Sequence, residues 1–388
     1  MTSCRSGRIR RFRFNLPQRI AAALLALFLV QGLWLIGRQA QAALTLQSFE
    51  HHSGDWPAIY AGSLADCPQV PDGILVCYMV RIPVAFQRLA EQRPSLSVAP
   101  QDEARDPHPF TTQILMRLPF LAAGVLLGGA LWWVTRRLYG NRGGYTALAF
   151  YCFSPAVLQA STVPNAAIPA ALGVYGGIYT CIGVAHAMQG PKRKWRPRIV
   201  LLTAIFACTA ASHLPALAVA AALGVALMLW VAEQNRRLVI PVILIATAVS
   251  LAAVFVGSGF SVTAFASLLG PGAGGINLSL RPATGLFGSI FNAGITTGAV
   301  IALALFLSAR KFRYFGNTAP LLCVLLLLAL PADSASPWLW ALPFLLTFVA
   351  GVFADAYESS QGLLVTAVAC LLVLLQAVAS ILSIQKTL

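Results

Sequence analysis

Apolar residues run along this chain in long blocks separated by short polar stretches. The blocks fall at 18–40, 114–134, 145–162, 165–188, 199–213, 215–232, 238–257, 285–308, 318–331, 337–354 and 363–384. A helix needs about 20 mostly apolar residues to cross a bilayer, and most of these blocks approach or reach that length. Several are short or carry an internal proline, at Pro155, Pro169, Pro215, Pro320 and Pro343. Backbone polar groups in hydrocarbon must bond within the chain, which leaves helices as the architecture for such runs. The pattern predicts an all-α, polytopic integral membrane bundle of about eleven transmembrane helices.

Composition agrees. With 58% of residues hydrophobic and 10% charged, this is not the make-up of a soluble domain. The net charge of +15 raises the question of a nucleic-acid partner, but the placement of the charge argues against one. Lys and Arg gather between the apolar blocks: Arg5 to Arg19, Arg136, Arg137 and Arg142, Lys192 to Arg198, Arg236 and Arg237, and Arg310, Lys311 and Arg313. With the N-terminus inside, all of these fall on one side, as the positive-inside bias requires. The basic balance is then an orientation signal that also meets anionic lipid headgroups. Residues 1–17 form a basic cytoplasmic N-terminus in a cell inner (plasma) membrane. The 354–362 connection is the one inner segment without Lys or Arg.

The acids sort the opposite way. Glu50, Asp55, Asp66, Asp72, Glu91, Asp102, Glu103 and Asp106 all lie between the first and second apolar blocks, leaving only Glu233, Asp333, Asp355 and Glu358 elsewhere. Residues 43–113 therefore read as a large exterior (periplasmic) loop, and residues 114–388 as the transmembrane bundle. Within the loop, VRIPVAFQRLAEQ and PAIYAGSLA have helical apolar spacing. The first block also resembles a signal peptide, ending in Ala40-Gln41-Ala42, but its length favours a retained span. Cys152, Cys181, Cys208, Cys323 and Cys370 sit in apolar blocks as packing residues. Cys67 and Cys77 share the exterior loop and are the disulfide candidates if that side is oxidising. His186 and His213 lie in apolar blocks and read as satisfied packing residues.

The densest cluster of ionisable groups is FEHHSGDWPAIYAG, residues 49–62. His51 and His52 are adjacent, so a helix splays them about 100° apart and a strand points them opposite ways. A two-histidine metal site is therefore disfavoured. Asp55-Trp56-Pro57 fits a helix start, with Asp55 as N-cap and Pro57 in the first turn. Capping also fixes the direction of the carboxylate, so Asp55 can both cap and react. The other exterior segment of note, 258–284, is glycine-rich and contains a single basic residue, Arg281.

From Arg117 the chain reads RLPFLAAGVLLGGALWWVTRRLYGNRGGYTALAFYCFSPAVLQAS. This stretch resembles a block in membrane glycosyltransferases of the GT-C superfamily, in particular the protein-mannosyltransferase and aminoarabinose-transferase-like families. The matching parts are Arg117-Leu118-Pro119 opening a span, Arg136-Arg137-Leu138-Tyr139-Gly140 closing it, and Ser154-Pro155 inside the next helix. The resemblance covers about 50 of 388 residues. It implies a GT-C-like bundle with an acidic motif early in the exterior loop, the position held by FEHHSGDWPAIYAG. It further implies sugar transfer from a polyprenyl-phosphate donor to a lipid, glycan or protein acceptor at the outer face. Asp55 would then be the general base, with Glu50 its nearest substitute. His51, His52, Arg117, Arg281 and Asn165 would contact substrate, and a divalent metal (Mg or Mn) would suit the departing phosphate. The family carries a second acid where this chain has Asn165, and an amide cannot act as a base. The alternatives are a non-catalytic, lipid-binding GT-C-like scaffold and a permease or flippase.

Overall fold

The computed structural model describes residues 15–47, 67, 73–90, 109–190, 192–232, 235–262, 265, 287, 292–330, 337–358 and 362–386. Among these residues all regular elements are helical: α1 (Leu16–Gln47), α2 (Ile74–Ala90), α3 (Pro109–Cys152), α4 (Pro155–Thr162), α5 (Ala167–Met188), α6 (Lys192–Ser212), α7 (Leu214–Val231), α8 (Arg236–Gly257), α9 (Ala293–Ser308), α10 (Phe315–Leu328), α11 (Pro337–Tyr357) and α12 (Gly362–Lys386). Among the described residues, seven stretches are long and apolar enough to cross a membrane: Leu16–Ala42, Phe110–Cys152, Ala167–Met188, Leu214–Val231, Arg236–Gly257, Trp338–Tyr357 and Gly362–Gln385.

α11 occupies the centre, packed by α3, α5, α9, α10 and α12. Its Phe344, Leu346, Phe348, Val349 and Phe353 are buried on all sides, as expected for a helix that is apolar all round. The outer helices instead leave large apolar side chains uncovered, including Leu244, Ile245 and Val249 on α8 and Leu371, Leu374 and Val378 on α12. A continuous apolar exterior of this kind suits a lipid environment.

α3 is two antiparallel arms joined at Gly140, whose φ of 74° lies in the left-handed region that side chains other than glycine avoid. The arms close because glycines line the seam. A side chain at Gly124 would strike Ser161, and one at Gly128 would strike Tyr151. The spacing Gly124-xxx-Gly128 is the small-residue pattern that lets helix backbones approach in a membrane. Tyr151 donates to the Gly124 carbonyl at 2.6 Å and packs at a tilt against Phe28 of α1, ring centroids 5.5 Å apart. The turn at Gly140 and the break at Ser154-Pro155 thus fall where the sequence placed them.

The two ends of the bundle differ. At one, the basic end, Arg142 lies over the Tyr357 ring at 5.4 Å and Asn235 donates to the Met188 carbonyl at 2.8 Å. Tyr139 donates to the Gly316 carbonyl there. At the other, the loop end, α2 lies across the tips of α3 and α6. Its Val76 and Val80 pack on Phe120, while Gly73 comes down on the Ser212 carbonyl, leaving no room for a Cβ. Cys67 and Cys77 are joined by a disulfide, with Cα atoms 5.5 Å apart, in the usual range for such a bond. Changing both to Ser should loosen α2 by about 2–3 kcal/mol, the loop-closure entropy of so short a ring. The readout is faster proteolysis around α2 with the helix content of the bundle unchanged.

Candidate functional site

A polar relay links four helices at the loop end. Arg117, near the start of α3, donates through Nη1 to Gln39 Oε1 of α1 at 2.7 Å. Gln39 Nε2 donates to Thr162 Oγ1 at 3.3 Å, and Thr162 donates to the Gln159 carbonyl at 2.9 Å. Gln159 Nε2 reaches Ser383 of α12 at 3.4 Å. Neither Gln39 nor Gln159 carries charge, so among the described residues the Arg117 cation has no carboxylate partner. Its Nε is buried with no hydrogen-bond acceptor among those residues. A guanidinium held this way presents open donors suited to phosphate or carboxylate.

The relay depends on a helix break. Pro155 has no N–H, so the chain pauses at Ser154 before α4 carries Gln159 and Thr162 to the loop end. The Phe153 carbonyl at this break accepts from Gln376 Nε2 of α12 at 3.2 Å. Gln376 Oε1 in turn accepts from Ile295 N at the start of α9, 3.1 Å away. One buried amide therefore serves both the break and a helix N-terminus.

Asn165 stands just past Thr162, at the same end as Arg117. Its Oδ1 accepts from Ala167 N at 3.0 Å, so the amide is engaged in starting α5. Glu50, His51, His52, Asp55 and Arg281 lie outside the described residues. Among the described residues no group of three or more His, Cys, Asp or Glu side chains could hold a metal ion.

His213 and Asp355 depart from the sequence reading, and His186, Cys208 and Cys370, read as packing residues, are exposed. His213 is not inside a span but at the break between α6 and α7, where it is the N-cap residue of α7. Its ring meets Trp340 of α11 edge-on, centroids 5.5 Å apart. Both imidazole nitrogens and the Trp340 indole N–H are buried without a hydrogen-bond partner among the described residues. Burial pushes the imidazole down from 6.5 to about 4, so it is neutral near pH 7. Asp355, placed by the sequence in an inner connection, lies on α11, which runs on to Tyr357. It accepts from Asn317 Nδ2 at 2.8 Å and from Tyr314 at 3.2 Å. Burial, with the Asp355 carboxylate beside it, pushes the Tyr314 phenol up.

The lone amides Gln159 and Gln376 were the sequence signal for these contacts, whereas Gln39 stands close to Arg38 and Gln41. Each lone amide interrupts an otherwise apolar stretch, and polar residues in such runs pair with something. Comparison of the chain with family models, curated proteins and solved structures gives no match.

Proposed function

We propose that this chain is a membrane glycosyltransferase of GT-C type. It transfers a sugar from a polyprenyl-phosphate donor to an acceptor at the loop end of the bundle. The observation that carries the reading is Arg117, fixed by Gln39 at the loop end and without a carboxylate partner among the described residues. That is where the phosphate of a lipid embedded beside the bundle would lie. The acid-rich 43–113 loop emerges at the same end and supplies Asp55 as base, with Glu50, His51, His52 and Arg281 completing the substrate contacts. The base takes the proton of the acceptor hydroxyl as the sugar–phosphate bond breaks. Arg117 stabilises the charge on the leaving phosphate, and a divalent metal (Mg or Mn), if held by the loop carboxylates Asp55 and Glu50, would add positive charge there.

In this reading the bundle has eleven spans. The two arms of α3 count separately, the second continuing through α4, and α6, α9 and α10 join the longer helices. The basic end then faces the cytoplasm and the loop end the exterior, in keeping with the positive-inside bias.

Arg117→Ala should weaken binding of a polyprenyl phosphate by roughly 10- to 100-fold, the range for a hydrogen bond to a charged group. Arg117→Lys should restore only part of it, because an ammonium lacks the planar fork. Titration of the lipid into purified protein in nanodiscs reads both, and unchanged affinity in Arg117→Ala would sink the phosphate role. A second reading, a non-catalytic lipid-binding scaffold, is favoured by the engagement of Asn165 in starting α5. It expects the same lipid affinity with no sugar released or transferred.

A further inference from the structure

The α6–α7 break leaves two side chains open. His213 N donates to the Thr209 carbonyl at 2.8 Å, and the His213 carbonyl accepts from Ala216 N at 3.1 Å. Pro215, next but one, has no N–H to satisfy. These backbone bonds engage neither the His213 ring nor Trp340. What remains is His213 Nδ1, His213 Nε2 and Trp340 Nε1, all buried and all unpartnered among the described residues. Trp340 is 3% exposed. Buried polar groups almost always find partners, and three open ones on two touching rings are an exception that calls for an occupant.

We propose that His213 and Trp340 bind the hydroxyl groups of a sugar at the loop end of the bundle. This rests on the transferase reading, in which Arg117 takes the phosphate, and assigns the sugar to a separate pair of residues. The chemistry selects the ligand class. A neutral imidazole offers one donor and one acceptor, and the indole adds a second donor. Hydroxyls, which both give and accept, satisfy all three. An anion would leave the imidazole acceptor facing negative charge, and a cation would face two N–H groups. The edge-on contact of the rings does not engage the nitrogens in bonds to each other. Placement agrees as well. α2 of the 43–113 loop begins at this break, with Gly73 against Ser212 O and Cys77 tied to Cys67. The loop that carries the acids thus comes down beside His213.

The test uses the full chain in nanodiscs and three probes: a polyprenyl phosphate, the same lipid bearing a hexose, and a set of short alkyl hexosides below their micelle concentrations. His213→Ala and Trp340→Phe should each weaken the glycosylated lipid at least tenfold, about 1.4 kcal/mol, and leave the bare phosphate unchanged. His213→Gln, which keeps one donor and one acceptor, should retain most of the affinity, and it serves where the alanine variant does not fold. Loss of both lipids together in folded variants would show a purely structural role and overturn the proposal. So would a glycosylated-lipid affinity within twofold of the parent. If the parent bound neither lipid, the transferase reading would fall. Alkyl hexoside binding that depends on His213 would then still uphold the sugar site, and its absence would overturn that too.

Discussion

Asp55→Asn is expected to lower sugar transfer by roughly 10²- to 10⁴-fold, the usual contribution of a positioned general base. Binding of the lipid-linked donor should stay within a few fold. The substitution separates the two roles that the sequence assigns to this residue. Asn caps a helix about as well as Asp, so a purely capping Asp55 would tolerate the change with stability intact. An amide cannot take a proton, so a catalytic Asp55 would not. A slow variant with an unchanged melting temperature identifies the base, and full activity removes Asp55 from the chemistry. Reach is no obstacle. Asp55 is eight residues past Gln47, the last residue of α1, and eight extended residues span up to about 28 Å. From there it can come to Arg117, which Gln39 of the same helix already holds. Glu50→Gln should have the smaller effect, since Glu50 stands in reserve.

The helical bundle was legible because hydrophobic periodicity and block length report directly on what lipid will tolerate. The hairpin from Arg117 to Ser161 was legible for a more local reason. Gly140 marks the reversal and Pro155 the break, and both residues act through their own backbone. Element ends were less legible. The sequence began one block at 199 and the helix begins at Lys192. It ended another at 354 and the helix runs to Tyr357. Hydropathy marks where hydrocarbon would stop, whereas helical hydrogen bonding continues into the basic or acidic residues beyond. That difference moved Asp355 onto α11, whereas His213 fell at a break because Pro215 opens a new helix just after it. The polar relay was hidden for another reason. Gln39 and Arg117 are far apart in sequence, and a glutamine says that it needs a partner without saying which. Asn165 was read for what it lacks as an acid. The structure adds what it does as an amide, bonding the first helical N–H of α5.

Gln376→Met is expected to destabilise the bundle by about 2–4 kcal/mol, the cost of leaving one buried and one part-buried backbone group unpaired. Methionine is unbranched and of similar volume, so the cavity contribution is small and the loss reports on polarity. The two orphans would be the Ile295 N–H at the start of α9 and the Phe153 carbonyl at the break before α4. Hydrogen bonds between helices in membranes are often worth less than this, because the separated helices find other partners. Here the partners are backbone groups at a helix start and at a proline break, which have no alternative within their own helices. Gly294 packs directly against the Cβ of Gln376, which brings α9 and α12 close together there. Reversible unfolding in mixed detergent measures the change, and a difference below about 0.5 kcal/mol would show that the contacts are energetically idle. The same substitution tests how the site is built. α4 reaches the loop end from the break that Gln376 secures, and it carries Thr162 to Gln39 and so to Arg117. A folded Gln376→Met protein should therefore bind polyprenyl phosphate more weakly than the parent, although Gln376 itself belongs to a different part of the bundle from the phosphate.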